Sequence, residues 1–590
     1  MAEENRVHVP YISNPETRLM AEINDEYEAS FMHKDSLGLL NAWATFENYY
    51  QSKQNEPEDA DDPASVTNII HPTIESLVSE LVETPMEILV KGYARGDRAV
   101  APLTQMALEW VWEHNNPLAK RDRFERIREK FGTAIWKTYF DGDAGAVGMP
   151  RFEPVSPVNF FPDPKIRAPE ALHQADFVIH AVSRPLKYLR RIYPNARDLV
   201  PNPNPQYDPE AAMKKDDALT RISKEQTLVL ERWSIERDGR LRKIVMTNDP
   251  PRILYDSDRD GDREQRKRGY YFLDRYPFTV VPCYRREDML WGMGDVELLK
   301  PIQDIINDLD DQIRLNARLM GNLQIVIGIA SGINPYFWTN KPGLKIPARD
   351  PRDWVPVQPQ GLPEYILARR NQALTFENEM ISGRTDITEG RRPGSLRAAS
   401  AILALQQAGS RRVNHKKLLT RLGLEDVLSI ITDYITEYWT EAIDIGVTEQ
   451  GEEIFFRGSA LQEVPVYGPD GTEIRNEDGS LVTRPARFAV RVNLGEGMPA
   501  DKAFVYQAVL ELGQFGFITR EEGRMILQHI LSWPIIDPLN PQGQFVAGQD
   551  RIGNSILGNQ SDAMMQQAIQ QAVGMGGAGL EALPGFGAVL

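Results

Sequence analysis

Nine basic residues crowd the interval from Arg384 to Arg421: Arg384, Arg391, Arg392, Arg397, Arg411, Arg412, Lys416, Lys417 and Arg421. Only Asp386 and Glu389 oppose them there. Such a run has two uses. It can supply ion-pair partners for acidic neighbours in an oligomer, or it can touch phosphates through the loop that carries Arg391 and Arg392. Other chemistry is scarce. There is no Gly-x-x-x-x-Gly-Lys-[Ser/Thr] loop to cradle a nucleotide, and Gly292-Met293-Gly294 is only a fragment of a phosphate-binding turn, read here as a flexible start to a helix. The eight histidines show no metal-ligand spacing and no His-Glu-x-x-His. Asp304, Asp308 and Asp311 are spaced as one solvated helix face. Cys283 is the only cysteine, so no disulfide forms within the chain; its setting in Val280–Tyr284 predicts a buried, inert thiol.

The elements that must position these residues follow from pattern. At 590 residues, with 42% hydrophobic and 26% charged content, the chain is long enough for several structural regions and ordinary enough to fold. Its 84 acidic residues outnumber 67 basic ones, which is the reverse of a protein that grips DNA by neutralising phosphates. Met1–Pro10 has no apolar core of signal-peptide type, and no run is long and apolar enough to span a bilayer, which points to a cytoplasm-like setting.

Helical spacing is expected over Glu16–Tyr50, from Pro72 to just before Pro85, over Pro102–Trp112 and over Pro117–Ala134. Strands are expected at Ile135–Phe140, Gly148–Phe152, Phe177–Val182, Leu228–Ile235 and Leu241–Met246, with turns at Gly142, Gly145 and Gly239. From Gly294 to Met320 an apolar stripe (Ile302, Ile306, Leu309, Ile313, Ala317, Met320) marks a helix roughly 40 Å long. A proline-rich insertion, Gly321–Pro363, separates it from a second helix, Glu364–Ser382. A loop, Gly383–Ser395, leads to a long helix, Leu396 to about Ile445, with cheap kinks at Gly409 and Gly423. Strands return over Phe455–Leu494 and helices over Ala500–Leu531, and the tail from Asn540 is rich in Gly, Gln, Ala and Met. Composition and periodicity thus give a large α+β protein of rods and loops.

Several stretches, in order, resemble the portal (head-to-tail connector) proteins of tailed double-stranded DNA bacteriophages. Val66-Thr67-Asn68-Ile69-Ile70-His71-Pro72 followed by Glu75–Pro85 is similar to the family's Asn-x-x-x-Pro helix, and Phe131–Ala134 with Pro154–Pro164 to its wing strands and Pro-x-Asn-Phe-Phe-x-Asp-Pro turn. Gly292–Asn322, with Gln303 and Asn307, resembles its Gly-x-Gly…Gln-x-x-x-Asn stem helix, and Arg392–Ala401 its tunnel loop and following helix.

The resemblance implies an α+β portal fold with an α-helical stem, a small α/β clip, a mixed β/α wing and an α-helical crown, assembled as a ring. The implied regions are a wing at 1–293, stem helices at 294–320 and 364–383, a clip at 321–363 and a tunnel loop at 384–395. A long kinked helix at 396–446, further wing strands at 447–497, a crown at 498–539 and a tail at 540–590 follow. The DNA-facing loop would present Arg384, Glu389, Arg391, Arg392 and Ser395. Ile302, Ile306, Leu309 and Ile313 would pack the stem, whose apolar stripe one chain is expected to cover too thinly. Tyr336, Trp338, Lys341 and Trp354 would form the clip docking surface. No catalytic, cofactor or metal site is implied. The implied partners are a homo-oligomeric ring, most often dodecameric, double-stranded DNA passing without sequence readout, the terminase large subunit, tail or adaptor proteins, and major capsid and scaffolding proteins. No membrane is involved, and the expected location is the virion after assembly in the host cytoplasm. A non-portal scaffold or adaptor of a viral head, and an enzyme with a composite carboxylate site, are the alternative readings.

Overall fold

The computed structural model of the protein describes residues 14–54, 65–202, 225–321, 361–377, 411–447 and 453–494, apart from single positions, plus isolated positions and a short paired segment within 324–357. The expected tunnel loop 384–395, crown 498–539 and tail 540–590 lie outside the described residues.

The chain opens with α1 (Pro15–Ser36), capped by Asn14, whose side chain accepts from the Glu16 N–H at 3.1 Å, and α2 (Leu39–Tyr50). The expected single helix is broken here because Gly38 adopts φ +68°, a left-handed conformation that ends α1 and re-aims α2. Next come α3 (Ile70–Glu83), β1 (Met86–Gly92), α4 (Arg95–Glu113) and α5 (Pro117–Phe131). Helix α4 begins a turn and more before the expected Pro102. Helix α5 stops short of the expected Ala134, because Gly132 at φ +79° closes it and Thr133 already belongs to a strand.

Two sheets follow. Strands β2 (Thr133–Asp141) and β3 (Met149–Val155) form a hairpin. Strand β4 (Phe160–Pro162) leads to β5 (Val178–Pro185), helix α6 (Leu186–Ile192), β6 (Gln226–Ile235), β7 (Leu241–Thr247) and β8 (Arg252–Asp256). These five strands make an antiparallel meander in sequence order. Alternation assigns its faces: Leu228, Leu230, Ile244 and Met246 meet Ile23 and Tyr27 of α1, while Val229 and Val245 between them meet Leu186 and Leu189 of α6. Strand β9 (Phe278–Pro282) joins β2 to complete a three-stranded sheet, β3-β2-β9. Helix α5 covers this sheet, and Phe124 stacks on Trp136 with ring centroids 4.2 Å apart.

Helix α7 (Asp295–Gly321) is the expected 27-residue rod. Strands β10 (Gln324–Ile327) and β11 (Trp354–Val357) pair beyond it, and α8 (Glu364–Gln372) returns, passing into a wider π-type turn at Ala373–Glu377. Helix α9 (Arg411–Tyr438) runs unbroken through Gly423. That glycine serves close packing: a Cβ there would lie 2.4 Å from the Val281 side chain on β9. Helix α9 also ends earlier than expected, since Ile443 and Ile445 belong to β12 (Ile443–Val447), paired with β13 (Glu453–Phe456). Short strands β14 (Val464–Pro465) and β15 (Thr483–Arg484) pair, and β16 (Phe488–Leu494) returns to lie antiparallel to β1, from Met86 opposite Leu494 to Gly92 opposite Phe488. Strand β1 was not expected from sequence. Among the described residues no helix is long and apolar enough to cross a membrane.

Between the two sheets lies a charged group. Glu231 of β6 pairs with Lys137 of β2 and, at 2.9 Å, with Lys243 of β7, and His180 of β5 stands beside Lys137. Burial, with the Lys137 charge, pushes His180 down from 6.5 to about 4. A base depressed in the folded state is protonated first in the unfolded chain, so it costs stability as pH falls from about 6.5 toward 4. Between pH 7 and pH 5 the stability of a His180→Gln variant should therefore gain about 2 kcal/mol on that of the native protein. Thermal unfolding of both proteins at the two pH values checks this; equal shifts would contradict it.

Candidate functional site

Helix α7 is set by its root. The carbonyl of Gly132, at the end of α5, accepts from the Cys283 N–H at 2.8 Å, and the Gly292 N–H donates to Thr133 Oγ1 at 2.8 Å. Tyr284 and Met293 exchange backbone hydrogen bonds across the intervening loop. Three glycines meet here backbone to backbone. A Cβ on Gly292 would lie 2.5 Å from the Gly132 oxygen, and one on Gly294 would lie 2.6 Å from the Glu129 oxygen. The expected flexible start of the helix is instead a tight junction, and glycine is required because only its backbone comes this close.

The apolar stripe divides in two. Val296, Leu299, Ile302 and Ile306 are buried in the main core, so the chain itself covers the lower half of the rod, contrary to the expectation that it could not. Leu309 and Ile313 are half-buried. Toward the tip Met320, on the stripe, is 48% exposed, and Leu315 and Leu319, on the far side of the helix, are 45% and 39% exposed. Helix α7 therefore leaves the body with bare apolar residues on more than one face of its tip.

Two buried polar residues hold the rod in register. Gln303 Nε2 donates to the Thr67 carbonyl at 2.9 Å and to Asn307 Oδ1 at 2.8 Å, and its Oε1 accepts from the Ile69 N–H at 2.9 Å. The Gln-x-x-x-Asn spacing, one helical turn, thus ties the segment before α3 to the stem. The acidic face is less solvated than expected. Asp304 accepts from Tyr49 and pairs with Lys300 at 2.8 Å. Asp311 accepts from the Ser65 N–H at 2.7 Å, and Asp310 binds Thr67 Oγ1 at 2.6 Å and Arg370 of α8. Asp308 is exposed.

Beneath the glycine junction sits a node of buried charges. Lys416 of α9 places its ammonium 2.5 Å from both Glu129 Oε2 of α5 and Asp295 Oδ2 at the start of α7. Arg128 pairs with Glu125 at 2.6 Å and Glu129 at 3.3 Å, and Thr420 of α9 donates to Glu125 at 3.0 Å. Cys283 donates to Glu129 from β9's end at 3.4 Å. One cluster thus joins two long helices, α5 and the sheet. Burial, with Glu129 alongside, pushes the Asp295 carboxyl up to about 6. Burial opposes the Lys416 charge, but the surrounding anions outweigh it and raise its pKa. Burial, reinforced by Glu129, raises the Cys283 thiol well above its usual range, so it is inert as expected. Glu129, Cys283 and Asp295 bring ligand-type atoms within 4.8 Å of one another, yet the ammonium of Lys416 occupies the position between the carboxylates.

Sequence reasoning missed this node. Its signal was present: Arg121, Glu125 and Arg128 share a helical stripe with Phe124 and Phe131, and all five are buried. Lys416, taken from sequence as part of a cationic run, is one of its members.

The other expected site residues are scattered or undescribed. Tyr336 is 93% exposed. The Trp354 backbone pairs with Ile327, and its side chain, with Trp338 and Lys341, lies outside the described residues. So do Arg384, Glu389, Arg391, Arg392 and Ser395.

A family model described as phage SU10 portal protein matches residues 125–454, a span that holds the node, α7 and α9. No curated protein matches the sequence. Among solved structures that match, "Neck of empty GTA particle computed with C6 symmetry" is 10% identical, covering 77% of this chain and 88% of that one, with a TM-score of 0.32.

Proposed function

The chain belongs to the phage SU10 portal protein family, matched over more than half its length, and from that premise we propose that copies of it stand as a ring at one capsid vertex. The ring is the channel by which double-stranded DNA enters during packaging and leaves during ejection. It is also the platform on which the terminase large subunit, and later tail or adaptor proteins, dock. Portal proteins are structural, and no catalytic step is assigned to this chain.

The observation that carries the reading is the helix α7. It is anchored rigidly at its root by glycines and ion pairs, yet carries Leu315, Leu319 and Met320 bare at its tip. A rod so held cannot fold back to cover those residues, so neighbouring copies are their natural cover. In this reading α7 and α8 are the stem, residues 321–363 the clip and residues 384–395 a loop narrowing the bore, with a twelvefold ring as the expected number. An acidic wall repels phosphate and lets the duplex slide, while Arg391 and Arg392 touch its backbone transiently.

Electron microscopy of the purified protein should show rings with an axial opening wide enough for a duplex, narrowest at 384–395. Leu315→Glu combined with Leu319→Glu removes about 2 kcal/mol of apolar burial per site and should leave dispersed single copies. A solitary chain under all assembly conditions would sink the proposal.

A further inference from the structure

The end of β5 and helix α6, which follows it, carry charge of the wrong sign for this chain. Against a formal charge of −17, residues 184–191 hold Arg184, Lys187, Arg190 and Arg191, with no acid among them. The apolar side of the helix, Leu186 and Leu189, is buried on the five-stranded sheet, so its other side must face outward. On that side Tyr188 is 39% exposed and Ile192 45%. The guanidinium groups of Arg184 and Arg191 lie over the Tyr188 ring, 5.7 and 5.6 Å from its centre. Arg190 is engaged locally, donating to the Leu199 carbonyl at 2.8 Å, and the nearby Asp198 faces Arg252 at 3.9 Å. Arg184, Lys187 and Arg191 are left without a carboxylate partner among the described residues. Elsewhere among the described residues, Lys416 pairs with Glu129 and Asp295, Arg232 with Glu26 and Arg126 with Glu75.

Unpaired cations arrayed around an exposed aromatic ring do nothing for the sheet beneath them. The pattern does match a polyanion: three long cationic side chains, two of them over the same exposed ring. We propose that this face of α6 is a second contact surface for the phosphate backbone of double-stranded DNA, independent of sequence. The inference rests on the portal reading, which places a phosphate polymer beside every copy. Duplex DNA is favoured over an acidic protein surface because its charge is continuous, so a small patch of cations finds phosphates in any register.

The test uses purified full-length protein and a short fluorescent duplex of arbitrary sequence, with anisotropy read across a salt series. Reversing Arg184, Lys187 and Arg191 together to Glu should weaken binding by at least about tenfold at about 0.1 M salt and flatten the log–log salt slope by about 2 to 3. Tyr188→Ala should cost about two- to fivefold. Reversing three scattered exposed cations, Lys53, Lys91 and Arg263, serves as the charge-matched control. An α6 triple variant that binds like this control would overturn the inference, as would native protein that binds polyglutamate through α6 while ignoring the duplex. Ring formation by each variant, read by electron microscopy, keeps the two readings apart. Intact rings with unchanged DNA affinity remove only the α6 surface, whereas native protein that forms no ring removes the portal reading.

Discussion

Replacing Lys416 with methionine should destabilise the chain by about 3–5 kcal/mol, because it leaves Glu129 and Asp295 ionised, buried and without their shared cation. The chain-wide consequence exceeds the loss of one contact, since this ammonium joins α5, α7 and α9. The effect should depend on pH with a definite sign. Without the lysine Asp295 is pushed up further and Glu129, which Lys416 and Arg128 hold down against burial, rises as well, so protonation in place relieves the charge and the deficit should shrink as pH falls from 8 toward 5. Combining Lys416→Met with Glu129→Gln and Asp295→Asn should restore part of the stability, because it removes the two uncompensated carboxylates while Arg128 keeps its pair with Glu125. Thermal unfolding of the three proteins decides the matter. A single Met variant as stable as the native chain at pH 8 would mean that the node contributes nothing.

Gly292→Ala should be at least as severe in its structural effect. The added Cβ meets the Gly132 oxygen at 2.5 Å and the Tyr284 oxygen at 2.7 Å, both backbone atoms that cannot swing aside. The root of α7 must therefore move off the end of α5, at a cost of about 3 kcal/mol or more, and the rod's direction moves with it. Loss of soluble yield or a lowered melting temperature reads the first effect, and failure of ring formation by the folded fraction reads the second. Gly142→Ala, where a Cβ meets nothing within 4 Å, should be neutral. Equal behaviour of the two variants would show that the close approach is not required.

Much of the architecture was legible because periodicity survives in single segments. The strands β2, β3, β5, β6 and β7 lie within a few residues of their expected positions, since each alternates or carries a dense β-branched and aromatic run. The rod α7 was legible at both ends for the same reason. Strand β1 was not: Met86-Glu-Ile-Leu-Val-Lys-Gly is short, follows a proline, and among the described residues pairs with Phe488–Leu494 alone. No local pattern announces a partner so distant. The charge node was hidden by the convention that a run such as Arg121-Asp-Arg-Phe-Glu-Arg-Ile-Arg-Glu-Lys130 is a solvated face. Here three-dimensional pairing overrides composition. The same limit applies to Gly292 and Gly294, whose spacing was visible but whose purpose, contact with Gly132, appears only when two distant segments are brought together. Membership of the portal family was visible in the order of motifs, and the later match over residues 125–454 includes most of them.

The pairing of β1 with β16 also sets a timetable for biogenesis. Met86 leaves the ribosome about 400 residues before Leu494, its partner. At roughly 5–20 residues per second, β1 spends on the order of 20–80 seconds with its edge unsatisfied. This pairing therefore forms only after Leu494 has been made, and until then the unpaired edge of β1 is open to the same strand of another copy.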